Sequence, residues 1–304
     1  MRLNLRARRR PRSQSQPRSL TGWRKNNRRR HIPQPEKFYD RLAGNVAIVT
    51  GAGSQGEGFG TGKAIAYAFA REGAKLCLVD LDPARAEETR ELIEAEGGEA
   101  FVMAGDVTST ESCAAIVAAT LERYGSLGVL VNNVGVSGGG GDIWELDEAR
   151  WRRMVDANFT SAVLMTKHAM PHLIASSHGA IINIASTAAL LASGGAFAYG
   201  PAKAAMIAFT REIAVKYGRR NVRANIIAPG HIVTPHVAGF FDAAAFETRR
   251  KVAPLGLIGD AWDVAAAAVY LANAESRFIT GICIPVDGGV TETMQMTAHA
   301  LIGD

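Results

Sequence analysis

The sequence predicts an α/β protein whose parallel sheet is covered by helices on both faces. Three observations point there. Short apolar β runs alternate with helical stretches from Asn45 onward, a glycine-rich turn joins the first run to the first helix, and an acid, Asp80, closes the second run. With 304 residues and 47% hydrophobic content, the chain can bury a sizeable core as one large or two small domains.

Residues 1–40 come first and stand apart. They hold thirteen Lys and Arg against only Glu36 and Asp40, a net of about +11, so the formal charge of +5 conceals a mildly acidic body. Rich in Arg, Ser, Gln and Pro without apolar periodicity, this extension reads as disordered. Three roles are open to it: an arm for nucleic acid or acidic surfaces, an Arg/Ser-rich targeting peptide, or an upstream extension without function. The third is preferred. The stretch lacks the apolar segment of a secretory signal, and an Arg tract alone is not a nucleic-acid-binding fold, so nucleic acid is an unlikely partner.

The body, 41–291, then alternates strand and helix, and 292–304 reads as a C-terminal tail. Residues 46–50 form the first β run, the loop 51–62 carries the glycines, and 63–71 are helical. Residues 76–80 form the second run, ending in Asp80, twenty residues after Gly60. A glycine-rich strand-to-helix turn lets the backbone approach a pyrophosphate at the positive end of a helix. A carboxylate after the second strand can accept from both ribose hydroxyls of NAD and would repel the extra phosphate of NADP; neither Leu81 nor Asp82 supplies a compensating Arg. NAD is therefore the expected cofactor.

Residues 101–104 with Gly105-Asp106-Val107 form the third run and its end. A helical stretch at 111–124 follows, then a fourth run from Val129 that ends in Asn132-Asn133-Val134-Gly135. One long helix is expected over 147–176, containing Asn158. The apolar run 180–185 is a buried strand ending in hydroxyls, which puts Ser186 at the carboxyl edge where open α/β sheets bind ligands. Residues 223–230 and 281–289 supply the last two runs. The uncharged stretch 179–202 contains Asn, Ser, Thr and Gly with Pro201, which favours a buried strand and an active-site loop over a membrane span.

Tyr199 and Lys203 lie four apart, on one face of a helix. A phenol has an ordinary pKa of about 10, and a nearby cation favours the phenolate, so the pair suits proton exchange with an alcohol or carbonyl. Cys77, Cys113 and Cys283 lie far apart in predicted strands or a helix, which suggests reduced, buried thiols in a cytoplasmic protein. His168 and His172 lack an accompanying general base and read as helix surface, so no metal is expected.

Taken together, the Thr50-Gly51 loop, Asp106, Asn132-Asn133-Val134-Gly135, Asn158, Ser186, Tyr199 with Lys203, and Pro229-Gly230 resemble the short-chain dehydrogenase/reductase family over residues 42–290. The resemblance implies a single Rossmann-type domain with a doubly wound, seven-stranded parallel sheet, and a homotetramer or less often a dimer, its interface built from the helices around Asn158 and Tyr199. It implies a catalytic tetrad of Asn158, Ser186, Tyr199 and Lys203. Tyr199 would be the general acid/base and Ser186 would orient the substrate oxygen. Lys203 would lower the Tyr199 pKa and hold the nicotinamide ribose, and Asn158 would anchor a relay water. Asp106 and Val107 match adenine contacts, Asn132 and Asn133 match cofactor-ribose and strand-end contacts, and Ile232 and Thr234 match the carboxamide-binding stretch after Pro229. In place of the family's TGxxxGxG, about five residues, 55–59, are inserted before Gly60-Thr61-Gly62. Gly51, Gly60 and Gly62 are assigned the family's glycine roles, with Gly53, Gly56 and Gly58 as alternatives. Val134 replaces the usual alanine, and Pro201 falls in a first helical turn, where its missing N–H costs nothing.

The expected activity is an NAD(H)-dependent interconversion of a secondary alcohol, or a cyclic diol, and a ketone on a mainly apolar small molecule. A 3-oxoacyl-thioester reductase is the alternative enzyme, and a non-catalytic nucleotide-sensing or scaffold protein the alternative class. Substrate choice is expected from 136–146, 188–198 and 235–258. In the last, Phe240, Phe241, Phe246, Leu255, Leu257 and Ile258 form either an apolar lid or ordinary packing, and Arg249-Arg250-Lys251 read as a solvated helix face.

Overall fold

The computed structural model describes residues 40–303, apart from 139, 193, 196 and 240. The Arg-rich extension, except Asp40, and Phe240 of the expected lid therefore lie outside the described residues.

Period-two burial sets the two faces of the sheet. In β1 (Val46–Thr50) Ile48 faces one side and Val49 the other; in β2 (Lys75–Asp80) Leu76 and Leu78 oppose Cys77 and Val79. With β3 (Glu99–Ala104), β4 (Val129–Asn132), β5 (Gly179–Ile184), β6 (Val222–Pro229) and β9 (Cys283–Val286) they form a seven-stranded parallel sheet in the order β3-β2-β1-β4-β5-β6-β9. The order reverses between β1 and β4, which opens a crevice at their carboxyl ends. A separate two-residue pair joins β7 (Ile232–Val233) and β8 (Gly259–Asp260).

Helices cover both faces. On the first, α1 (Thr61–Arg71), α2 (Pro83–Ala95) and α9 (Ala261–Ala272) bury Ile65, Phe69, Ile93, Val264 and Leu271 against Val49, Leu76, Val131 and Ile182. On the second, α3 (Thr110–Tyr124), α5 (Ser161–Ala175) and α6 (Tyr199–Tyr217) bury Ile116, Met165, Leu173 and Ile213 against Ile48, Val79, Leu130 and Ile181. Short polar side chains start several of these helices: Asp82 accepts the Ala84 N–H ahead of α2, Ser109 accepts from Ser112 ahead of α3, and Asp260 makes a reciprocal capping box with Asp263 at α9.

The single long helix expected over 147–176 is built differently. Asp147 caps α4 (Glu148–Val155), a π-helical turn occupies Asp156–Thr160, and α5 follows without a break. Asn158 lies in that wider turn. The C-terminal segment is a helix, α10 (Gln295–Gly303), packed against α8 (Ala243–Val252), with Lys251 Nζ donating to the Ile302 carbonyl at 3.1 Å. Among the described residues no helix is long and apolar enough to cross a membrane, and no cluster of three or more His, Cys, Asp or Glu could hold a metal ion. His168 lies on α5, where its Nε2 meets Thr110 Oγ1 of α3 at 2.8 Å.

Candidate active site

The floor of the crevice is tied by β1 and β4. Thr50 Oγ1 donates to the Val131 carbonyl at 3.2 Å and accepts the Asn133 N–H at 3.1 Å, while the Asn133 amide donates to the carbonyls of Thr50 and Gly51 at 3.0 and 3.1 Å. Asn132 sits differently from its neighbour. Its side chain is buried and donates to Asn183 at 2.8 Å and to Thr166 at 3.4 Å, pinning β4 to β5 and α5.

Close approach explains two of the loop glycines. Gly51 turns with φ +64°, and a Cβ on Gly62 would stand 1.9 Å from the Gly51 carbonyl oxygen, so only hydrogen fits there. Gly53 is equally restricted, since its Cβ would lie 2.4 Å from Arg85 Cβ on α2. Gly60 meets nothing closer than 3.4 Å; it occupies the N-cap of α1, which begins at Thr61 and has no side-chain cap. Ser54 lies beside Gly60 with its hydroxyl buried and without a partner. An uncapped helix start with an orphaned hydroxyl next to it fits a phosphate-bearing dinucleotide.

Asp80 ends β2 with both oxygens oriented by the backbone: Oδ2 accepts the Gly53 N–H at 2.9 Å and Oδ1 the Asp82 N–H at 3.1 Å. Each oxygen keeps lone-pair capacity for a ribose hydroxyl. Arg85, which packs under Gly53, is paired with Asp82 at 3.1 Å. Asp106 is exposed and accepts from the Thr108 N–H and hydroxyl, whereas Val107 is buried and its carbonyl accepts the Cys113 thiol. On the far side Pro229 ends β6, and a Cβ on Gly230 would come within 2.4 Å of Thr187. Ile232 and Thr234 are both buried, and Thr234 Oγ1 accepts the Val237 N–H of the single turn α7 (Pro235–Ala238).

The four tetrad positions come from three elements. Ser186 follows β5; its Oγ accepts the Ala188 N–H at 3.2 Å, and its hydroxyl is in hydrogen-bonding reach of the Tyr199 phenol. Tyr199 opens α6. Lys203, one turn on, is buried and donates from Nζ to the carbonyls of Ile184 at 3.0 Å and Val134 at 3.3 Å. Asn158, fully buried in the π turn, exchanges bonds with Val136, its Nδ2 donating to the carbonyl at 2.8 Å and its Oδ1 accepting the N–H at 3.1 Å. A Cβ on Gly135 would touch Asn158 Oδ1 and Lys203 Nζ alike at 3.2 Å, so the two groups flank one backbone segment.

Electrostatically, the pair departs from the expected pattern. Burial pushes the Tyr199 phenol up, and a hydrogen bond with Ser186 acts the other way. Complete burial pushes the Lys203 ammonium down, to about 7. Desolvation thus dominates at the lysine, whose Nζ partners are the backbone carbonyls of Ile184 and Val134. Burial also pushes Cys77 up to about 12 and Cys113 to about 11, so both thiols stay protonated.

In the segment expected as a lid, Phe246 is buried and meets Phe241 edge-on at 5.9 Å, while Leu255 and Leu257 are exposed. The basic trio is in use: Arg249 stacks over Phe241 at 3.8 Å, Arg250 pairs with Glu247 at 2.7 Å, and Lys251 reaches α10.

A nucleotide crevice at a topological switch point, lined by a serine, a tyrosine and a buried lysine, defines a dinucleotide-dependent oxidoreductase. Comparison with known proteins makes the class particular. A family model described as Enoyl-(Acyl carrier protein) reductase matches residues 57–291. The 2,5-dichloro-2,5-cyclohexadiene-1,4-diol dehydrogenase LinX of Sphingobium indicum is 37% identical over 250 residues, 82% of this chain and 97% of that protein. A short-chain dehydrogenase/reductase structure from Burkholderia xenovorans, described as putative, superposes with a TM-score of 0.79 at 42% identity, covering 84% of this chain and 99% of that one. Carveol dehydrogenase from Mycobacterium avium, solved in complex with NAD, superposes with a TM-score of 0.77 at 26% identity over 83% of this chain and 99% of its own. The chain belongs to the short-chain dehydrogenase/reductase family.

Ser54, Gln55, Ser137 and His236 were not singled out from sequence. Gln55 fell within the inserted residues 55–59, Ser137 and His236 within the segments 136–146 and 235–258, and Ser54 carried a signal as a hydroxyl within a glycine loop.

Proposed function

We propose that the protein is an NAD(H)-dependent dehydrogenase that interconverts a secondary alcohol, including a ring diol, with its ketone on a mainly apolar small molecule. The observation that carries this reading is the convergence of Ser186, Tyr199 and Lys203 on the crevice whose opposite rim holds Asp80. Bound NAD supplies the hydride acceptor. The Ser186 hydroxyl, turned from the Tyr199 phenol to the substrate oxygen, donates to it and orients it. Tyr199 takes the alcohol proton in oxidation and returns it in reduction. Lys203 and Asn158 hold the 134–136 backbone, and the charge on Lys203 near neutrality sets how readily the phenol ionises. Gly51, Gly62 and Ser54 receive the pyrophosphate at the start of α1, Asp80 the adenosine ribose, Asp106 and Val107 the adenine, Asn133 with Lys203 the nicotinamide ribose, and Ile232 and Thr234 the carboxamide.

The similarity to a dehydrogenase named for a cyclohexadienediol favours ring alcohols and diols. Reduction of the keto group of a 3-oxoacyl thioester is the second reading, favoured by the acyl-carrier description of the matching family model. We further propose a cytoplasmic homo-oligomer, tetramer or dimer, with residues 1–40 dispensable. Fluorescence titration with NADH and NADPH, followed by turnover of secondary alcohols, ring diols and a 3-oxoacyl thioester, tests the reading. Tighter NADH binding with alcohol or diol turnover supports it; a preference for NADPH and the thioester overturns it.

A further inference from the structure

The expanded first loop supplies no catalytic group, yet it is fastened at both ends. At its base Phe59 packs on Tyr67 of α1 with centroids 5.7 Å apart and on Trp262 of α9 at 4.7 Å. Toward its tip, Gly56 and Gly58 turn with φ of +98° and +109°, each lying against Pro235. The adjoining Gln55 Oε1 meets His236 Nδ1 at 2.8 Å, and the other ring nitrogen of His236, Nε2, meets Ser137 Oγ at 3.2 Å. With Gln55 Oε1 as acceptor, Nδ1 carries the hydrogen and Nε2 accepts from the Ser137 hydroxyl.

One imidazole on α7, beyond β7, thus joins the loops that follow β1 and β4, the two strands that flank the crevice at the switch point. None of the joined groups belongs to the buried core: Gln55, Ser137 and the segment 56–58 are exposed. The contacts therefore add little to the body of the fold and act on the mouth of the crevice. We propose that His236 is a positioning residue for the cofactor, the keystone of a clasp with Gln55 and Ser137 that closes the mouth over the dinucleotide and must open before the dinucleotide leaves. The proposal rests on the NAD(H) reading of the site.

The test uses the full-length protein and the dissociation rate of NADH, measured by stopped-flow displacement with excess NAD. His236→Ala and Gln55→Ala should each speed release by about tenfold, the effect of losing one or two hydrogen bonds that hold only the closed state. The double variant should be no faster than His236→Ala alone, because removing His236 already breaks the link to Gln55. His236→Asn, whose amide can replace Nδ1 opposite Gln55, should recover part of the slow release. A general loosening of the loops would not be recovered in this way. Unchanged release in His236→Ala and Gln55→Ala, or multiplicative effects in the double variant, would overturn the clasp. Should His236→Ala fail to fold, Gln55→Ala on the exposed loop decides alone. Wild-type protein that bound no NADH would overturn the NAD(H) reading along with the clasp, whereas tight wild-type binding with unaltered release in the variants would overturn the clasp only.

Discussion

Tyr199, Lys203 and Ser54 each carry a separate expectation. Replacing Tyr199 by Phe removes the transferable proton and leaves the packing, so turnover should fall at least about 10²-fold while NADH titration still shows binding; near-wild-type turnover would exclude Tyr199 as acid/base. Lys203 has a linkage consequence. Its folded pKa is lowered to about 7 by burial, below the unfolded value, so the unfolded chain binds the proton more readily and the native state is penalised as pH falls from the unfolded pKa towards 7. Below 7 the penalty is constant. Thermal unfolding of wild type and Lys203→Met should therefore show the variant gaining relative to wild type between pH 9.5 and pH 6.5, although it is inactive; a gap independent of pH would mean the ammonium is not desolvated. Ser54→Ala should weaken NADH binding several-fold without lowering the melting temperature, since the hydroxyl has no partner within the protein. The tetrad was legible because Tyr199 and Lys203 are four apart and Ser186 ends an apolar run. The protonation of the pair was not, because it depends on burial and on the carbonyls of Val134 and Ile184, which no spacing reveals.

Among the elements, strands were the most readable, since β1, β2, β5 and β6 are short apolar runs with polar or glycine-rich ends. The π turn was hidden within the helical spacing of Met154, Asn158, Ala162 and Met165. Loop placement was legible only in part. Gly51 and Gly62 occupy positions where a side chain is excluded, but Gln55 meets a residue 181 positions away, beyond any local pattern. Gly62→Ala tests the turn as a unit. With its Cβ 1.9 Å from the Gly51 carbonyl, the loop and the first turn of α1 must part, so NADH affinity should drop by more than about tenfold, and an alanine variant that bound NADH normally would show that the turn is not the pyrophosphate seat.

For the whole molecule, Val215 and Phe278 are 85% and 95% exposed, large apolar side chains presented to solvent by the single chain. Isolated examples are ordinary, but these agree with the proposed assembly. Light scattering should give two or four times the 32.3 kDa chain mass, and a monomer would set the assembly aside. Deleting 1–39 should leave both that mass multiple and NADH binding unchanged. The π turn has a further consequence for how this chain tolerates insertions and deletions. A π turn fits one residue more than an α turn into nearly the same rotation and rise, so removing one residue from Asp156–Thr160 would let α4 and α5 join as one regular helix with little change in their relative rotation. Met165 and Leu173 would still face the sheet, and the loss would fall on the hold of Asn158 on Val136, so a single-codon deletion here should cost activity more than folding.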